Sequence, residues 1–156
     1  MKLYILRHAD AAAGFPDHER PLTQKGIDQI TDLTQRFPQK AAKELGAIWH
    51  SPLVRAAQTA ECFKKGLGLT CPLQISESLH PGGPIESLAS ELESLNQDTV
   101  LVGHNPHCEL LSSFLLKRSS HPPAILFKKA GLLCLEYSSD PEQPWILRWY
   151  LIPSLF

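Results

Sequence analysis

The sequence has no long apolar run, no marked excess of either charge and few cysteines, and each shortage removes a class of function. The only apolar stretch near the start is Leu3 to Leu6, which Arg7 interrupts. That is too short for a secretory core or a membrane span, and nothing later is longer, so a cytoplasmic location without a membrane partner is expected. A net charge of -1 gives no general attraction to nucleic acid or acidic membranes, so any phosphate site must be local. Cys62, Cys71, Cys108 and Cys134 form no CxxC pair and lie far apart, which reads as reduced, packed thiols rather than a staple or zinc site.

What is present suffices for a globular core. Apolar residues make up 43% and charged residues 20% of 156 residues, with no linker or repeat, so one domain spanning 1–156 is expected. Lys2 to Leu6 reads as a buried strand, followed by an irregular loop from Ala9 to Pro21. Thr23 caps a helix with the stripe Ile27, Ile30, Leu33 and Phe37, and a further helical piece ends at Gly46. Ala47 to His50 is a second strand, and Ser51-Pro52 opens a helix running to about Lys65. A short strand near Leu73 to Ile75, a helix carrying Leu88, Leu92 and Leu95, and a buried strand from Thr99 to Val102 follow. Asn105-Pro106 caps the next helix, and three strands, Ile125 to Lys128, Leu132 to Tyr137 and Ile146 to Leu151, close the chain. Alternating strands and helices imply an α/β fold, a three-layer α/β/α sandwich whose mostly parallel central sheet ends in an antiparallel C-terminal edge.

In open sheets of this kind ligands bind at the carboxyl ends of the strands. There the chain delivers Arg7 and His8 after the first strand, Arg55 in the turn after the second, and His104 after the Thr99 strand. Any one of these is ordinarily a solvated arginine or a structural histidine. Together they would be costly to bury without an anion, and guanidinium forks beside a helix N-terminus describe an oxyanion cradle.

The surrounding residues carry a resemblance. Leu6-Arg7-His8-Ala9, Arg20-Pro21-Leu22-Thr23 with Gly26, Ser51-Pro52 with Arg55-Ala56 and Gln58-Thr59, and Val102-Gly103-His104-Asn105-Pro106 are similar to the motifs of the histidine phosphatase superfamily, over residues 3 to 116. The short length and the Arg-Pro-Leu-Thr and His-x-Pro variants most resemble its SixA branch, the phosphohistidine phosphatases. The resemblance implies His8 as nucleophile, Arg7 and Arg55 as phosphate clamps, and His104 as a second histidine donating to the phosphoryl oxygens. Neutral imidazole is the attacking form, nearby arginines favour it, and a backbone carbonyl would hold the other ring nitrogen. With arginines supplying charge, neither a metal nor another cofactor is required.

Arg20 either lines the pocket or is solvated, Thr59 either reaches the site or back-bonds to its helix, and Asn105 is a candidate substrate contact. Thr23 and Gly26 read as helix-start features, His18 as surface and His121 as loop. A metal cluster of His50, His104 and His107 lacks any spacing such as HExxH. Larger superfamily members place an acid after the third strand, where this chain reads Glu77-Ser78-Leu79-His80-Pro81-Gly82-Gly83. Without a donor an alkoxide leaves slowly, whereas an imidazole with a pKa of about 6.5 leaves readily. The expected reaction is therefore dephosphorylation of phosphohistidine on a protein. The alternatives are a small phosphorylated molecule handled with Glu77 or His80 as acid, and a domain that binds phosphate without turnover. A mutase is disfavoured because few basic loop residues are apparent.

Overall fold

The computed structural model describes residues 1–138 and 140–154. Strands β1 (Lys2–Arg7), β2 (Leu45–His50), β3 (Leu73–Ile75), β4 (Asp98–Gly103), β5 (Leu132–Tyr137) and β6 (Trp145–Leu151) form one sheet in the order β3-β2-β4-β1-β5-β6. The first four run parallel, while β5 pairs antiparallel with β1 and β6 antiparallel with β5. Helices α1 (Gln24–Arg36), α2 (Gln39–Glu44), α3 (Val54–Gly66), α4 (Ile85–Glu93) and α5 (His107–Lys117) cover the faces.

Strand periodicity explains the layering, because successive side chains point to opposite faces. Tyr4, Leu6, Ile48, Val100, Val102 and Leu132 pack with Ile30 and Leu33 of α1 and Ala60 and Phe63 of α3. Their sequence neighbours Leu3, Ile5, Trp49, Leu101 and Leu133 pack with Leu88 and Leu92 of α4 and Leu111 and Leu115 of α5. Strands buried on both faces read as continuous apolar runs, which is how β1 and β4 appear in the sequence. Among the described residues no helix is long and apolar enough to cross a membrane.

Several local expectations change. Of the expected α1 stripe Ile30, Leu33 and Phe37 are buried while Ile27 is 39% exposed, and Gly26, Gln29 and Thr34 are buried beside them. The helical piece before the second strand ends at Glu44, and β2 starts at Leu45 because its backbone pairs from that residue with Asp98. Ser51 does not cap α3, whose N-cap is Leu53, and α5 begins at His107 with no side-chain cap from Asn105. Residues 125–128 form no strand, since their backbone groups bind side chains: Phe127 N donates to Glu109 Oε1 at 3.1 Å and Phe127 O accepts from Arg7. The loop after β1 contains a 3-10 turn, Asp17–Glu19, and a bridge between Ala11 and Leu22.

Thr23 does cap α1, its hydroxyl accepting from Gly26 N at 3.0 Å. A Cβ on Gly26 would stand 2.2 Å from Asp10 O, which itself accepts from Thr23 N at 3.0 Å and has little room to retreat. Alanine ordinarily improves a helix by about 1 kcal/mol over glycine. Here the backbone clash outweighs that gain, and Gly26→Ala is expected to destabilise the fold by about 1–3 kcal/mol, read as a lowered urea midpoint at unchanged m-value.

Candidate active site

The register of one parallel strand pair builds the centre of the site. Arg7 lies opposite Gly103 in the β1–β4 ladder, and His8 N donates to Gly103 O at 2.9 Å, so His8 and His104 leave neighbouring strand ends side by side. Their ring centroids are 5.1 Å apart at an interplanar angle of 54°. On the other side of β4, Ser51 N donates to Val102 O at 3.0 Å, which brings the Ser51 hydroxyl 2.8 Å from His104 Nε2.

His8 Nδ1 lies 2.7 Å from Ala9 O, an acceptor only, so Nδ1 carries the proton and Nε2 presents its lone pair. Burial, then the charges of Arg55, Arg7 and Lys129, lowers the His8 pKa from 6.5 to about 4 against the opposing effect of the Ala9 carbonyl. Desolvation is the larger cause and the arginines the smaller, the reverse of the emphasis in the sequence reading. His104 is lowered to about 3 by burial, followed by His8, Arg55, His80 and His107. Both rings are neutral throughout the physiological range.

The arginines are fixed by backbone carbonyls. Arg7 Nη1 donates to Phe127 O at 2.7 Å, and Arg55 Nη1 donates to Asp17 O at 2.9 Å while its Nη2 lies 3.1 Å from Asp17 Oδ2. Arg7 Nε, Arg55 Nε and His104 Nδ1 are buried with no hydrogen-bond partner among the described residues. The two guanidinium Nε–H groups, buried donors without acceptors, favour an oxyanion strongly.

Of the remaining candidates, Thr59 is committed to the backbone, donating to Arg55 O at 2.7 Å and accepting from Ala9 N at 3.1 Å. It thereby ties the loop after His8 to the helix that carries Arg55. Arg20 does not stand alone on the surface: Nε donates to Asp17 Oδ1 at 2.9 Å and Nη1 to Ala12 O at 3.2 Å. Asn105 Nδ2 donates to Glu109 Oε1 at 2.7 Å and to Phe127 O at 3.2 Å, so its amide braces the segment that holds Arg7. His80 is exposed on the rim, close enough for its charge to be felt at His104, whereas Glu77 is exposed in the 3-10 turn Glu77–Leu79. His50 turns Nδ1 to Ser51 O at 2.9 Å, and among the described residues no group of three metal-ligating side chains is assembled.

Sequence reasoning missed Asp17, Ser51 as the partner of His104, Glu109, and the lysines of the rim. Asp17 sits in the loop after β1 among charged residues that read as surface. The Arg20 and Arg55 hydrogen bonds, Arg20's first, hold its carboxyl below the ordinary carboxylate range. Lys25, Lys128 and Lys129 converge beside Arg7 from two separate segments, so the site is more basic than the linear order suggested.

Fold and site together define an α/β enzyme built to handle an oxyanion. A family model described as the histidine phosphatase superfamily (branch 1) matches residues 3–93, a stretch that contains Arg7, His8 and Arg55. The phosphohistidine phosphatase SixA of Escherichia coli (strain K12) is 30% identical over 150 residues, covering 93% of this chain and 92% of that protein. An uncharacterized protein of Picosynechococcus sp. is 34% identical over 143 residues, covering 86% of this chain and 84% of that one. A solved structure of the protein histidine phosphatase SixA complexed with tungstate superposes with a TM-score of 0.85 at 24% identity, covering 98% and 97% of the two chains. A putative phosphohistidine phosphatase SixA from Agrobacterium tumefaciens gives 0.74 at 23% identity, with 97% of each chain covered. The chain belongs to the histidine phosphatase superfamily, branch 1, and is a hydrolase of the phosphatase class.

The buried imidazoles set the acid stability. In the unfolded chain they take up protons below about pH 6.5, whereas His8 and His107 in the fold do so only near 4 and His104 near 3. Their folded pKa values are depressed, so stability present above pH 6.5 is lost as pH falls through this window, by up to ~1.4 kcal/mol per pH unit per ring. Urea denaturation at pH 7 and pH 4.5 should show a loss of several kcal/mol. In NMR titrations the His8 ring should remain neutral down to about pH 4.

Proposed function

We propose that this phosphatase removes phosphate from phosphohistidine on a protein, through a covalent phospho-His8 intermediate. The observation that carries the reading is the Nδ1–H of His8 held on Ala9 O, which leaves a neutral ring with Nε2 as nucleophile between two arginines. Nε2 attacks phosphorus and displaces the substrate imidazole, which takes a proton from water. Water then attacks phospho-His8, breaking its P–N bond and restoring the free ring. The unpartnered guanidinium N–H groups of Arg7 and Arg55 bind the phosphoryl oxygens as charge moves onto them. The bound dianion raises the pKa of His104, so that this ring, braced by Ser51, donates to the same oxygens.

Two observations favour phosphate on nitrogen and a protein substrate. The carboxylate at the clamp, Asp17, is kept ionised by Arg20 and Arg55 and has no proton to give an alkoxide, whereas an imidazole leaves without such help. Phe15 is 97% exposed and Leu126 72% exposed, on the two loops that reach Arg55 and Arg7, and apolar side chains at such rims suit contact with a folded partner. The 30% identity to the Escherichia coli phosphohistidine phosphatase supports the same substrate class.

A second reading rests on His80, whose proximity to His104 allows it to act as acid toward a small phosphomonoester. Rapid quenching separates the two. Mixed with a phosphohistidine-bearing phosphotransfer domain and quenched within seconds, the enzyme should carry acid-labile phosphate, and His8→Ala should neither label nor dephosphorylate. Turnover of this domain by His80→Ala and Glu77→Gln should stay within about threefold of wild type, since no acid is needed. A loss of a hundredfold or more in His80→Ala would establish the acid-dependent reading instead.

A further inference from the structure

Next to Arg7 lies a cleft of about 280 Å³ lined by Arg7, Asp10, Lys25, Gln29, Lys128 and Lys129. Four cationic side chains face one carboxylate, in a chain whose net charge is -1. Asp10 is already engaged by Lys129 and by the Thr23 hydroxyl at 2.7 Å, and Lys25 and Lys128 form no ion pair among the described residues. One carboxylate against four cations leaves the cleft with a local excess of positive charge.

The placement of these lysines runs against what stability alone would select. Lys25 occupies the first turn of α1, which contains no acidic residue, where the helix dipole disfavours a cation. Lys128 and Lys129 ride on a turn that is held from several directions. Ala130 N donates to His8 O at 3.2 Å, Gly131 N to Lys128 O at 2.9 Å, and Lys128 N to the Tyr150 hydroxyl at 2.8 Å. Ala130 takes a left-handed φ of 55°, and a Cβ on Gly131 would stand 2.3 Å from the Tyr150 hydroxyl. The turn is thus fixed to the carbonyl of the nucleophile itself, and it cannot drift from the site.

We propose that this cleft is a second anion-binding subsite that receives acidic side chains of the phosphorylated protein, flanking the phosphohistidine. The inference rests on the phosphohistidine reading above for its substrate and on the cleft alone for its charge. Arg7 belongs to both places, donating to Phe127 O and lining the cleft, so a carboxylate seated there lies beside the phosphoryl site. Lys25, Lys128 and Lys129 are exposed point charges on flexible stems rather than a walled set of forks, an arrangement that suits carboxylates carried on a larger surface. Phe15 and Leu126 are exposed on the loops that reach Arg55 and Arg7. Charge of this kind acts chiefly on encounter and choice of partner, and it is screened by salt.

The test compares two phosphohistidine peptides that differ only in three flanking residues, Glu in one and Gln in the other. Wild type should favour the Glu peptide by ~10-fold in kcat/KM at low ionic strength, with the preference shrinking at high salt. In Lys25→Gln/Lys128→Gln/Lys129→Gln the ratio should fall to about one, and in the corresponding triple Glu variant a Lys-flanked peptide should become the better substrate. These positions are exposed, so the variants fold, and the reversal cannot come from a structural defect. An unchanged Glu-to-Gln ratio in the Gln variant would overturn the proposal. Fluorescence anisotropy with the unphosphorylated Glu peptide separates it from the reading on which it rests. If wild type turns over neither peptide yet binds this one, and the Gln variant does not, the phosphohistidine reading fails and the subsite stands.

Discussion

The hydrogen bond from His8 N to Gly103 O extends the β1–β4 ladder one step past the strands, and the rest of the site is arranged around it. Because the two strands are parallel and in register, the residues after them leave the sheet at the same height. A slip of one residue would move both imidazoles and invert the face on which every side chain of β1 is packed, at the cost of two cores at once. The geometry of the site is therefore guarded by the apolar pairs Tyr4–Val100, Ile5–Leu101 and Leu6–Val102.

Around that pair the structure spends polar backbone groups on charged side chains. Carbonyls of Phe127, Asp17 and Ala9 accept from Arg7, Arg55 and His8 respectively. Each fixes a side chain without neutralising it, which is what a site that must attract a dianion requires; a carboxylate in the same role would compete with the substrate. Asp17 is the exception, and Arg20 shares its charge, so Arg55 remains partly uncommitted. Desolvation does the complementary work on the histidines, keeping them neutral at a cost that the surrounding fold bears.

How much of this was legible in the sequence depends on the distance over which a contact is made. Apolar runs gave β1 and β4, the Thr23 cap gave the start of α1, and Arg7, His8, Arg55 and His104 could be brought to one sheet edge by topology alone. The partners that fix them could not. Ser51 reads locally as a helix cap and works as the support of His104; Phe127 sits in a segment with the composition of a strand whose carbonyl serves Arg7; Glu109 looks like a first-turn acid and braces Asn105. Ile27 keeps helical spacing and is still exposed, while Gly26 beside it lies against the Asp10 backbone. Single side chains far apart in the chain carry no periodicity, and pattern reading depends on periodicity.

The position of β1 has a consequence for the order in which the molecule can become active. This strand lies between β4 and β5, and its Arg7 N, Arg7 side chain and His8 O are bound by Gly131, Phe127 and Ala130, all from beyond α5. A growing chain that has completed the motifs around His8, Arg55 and His104 still lacks the groups that orient Arg7. The Arg7 side chain thereby gains its backbone acceptor only once the last quarter of the chain has folded back against the first strand.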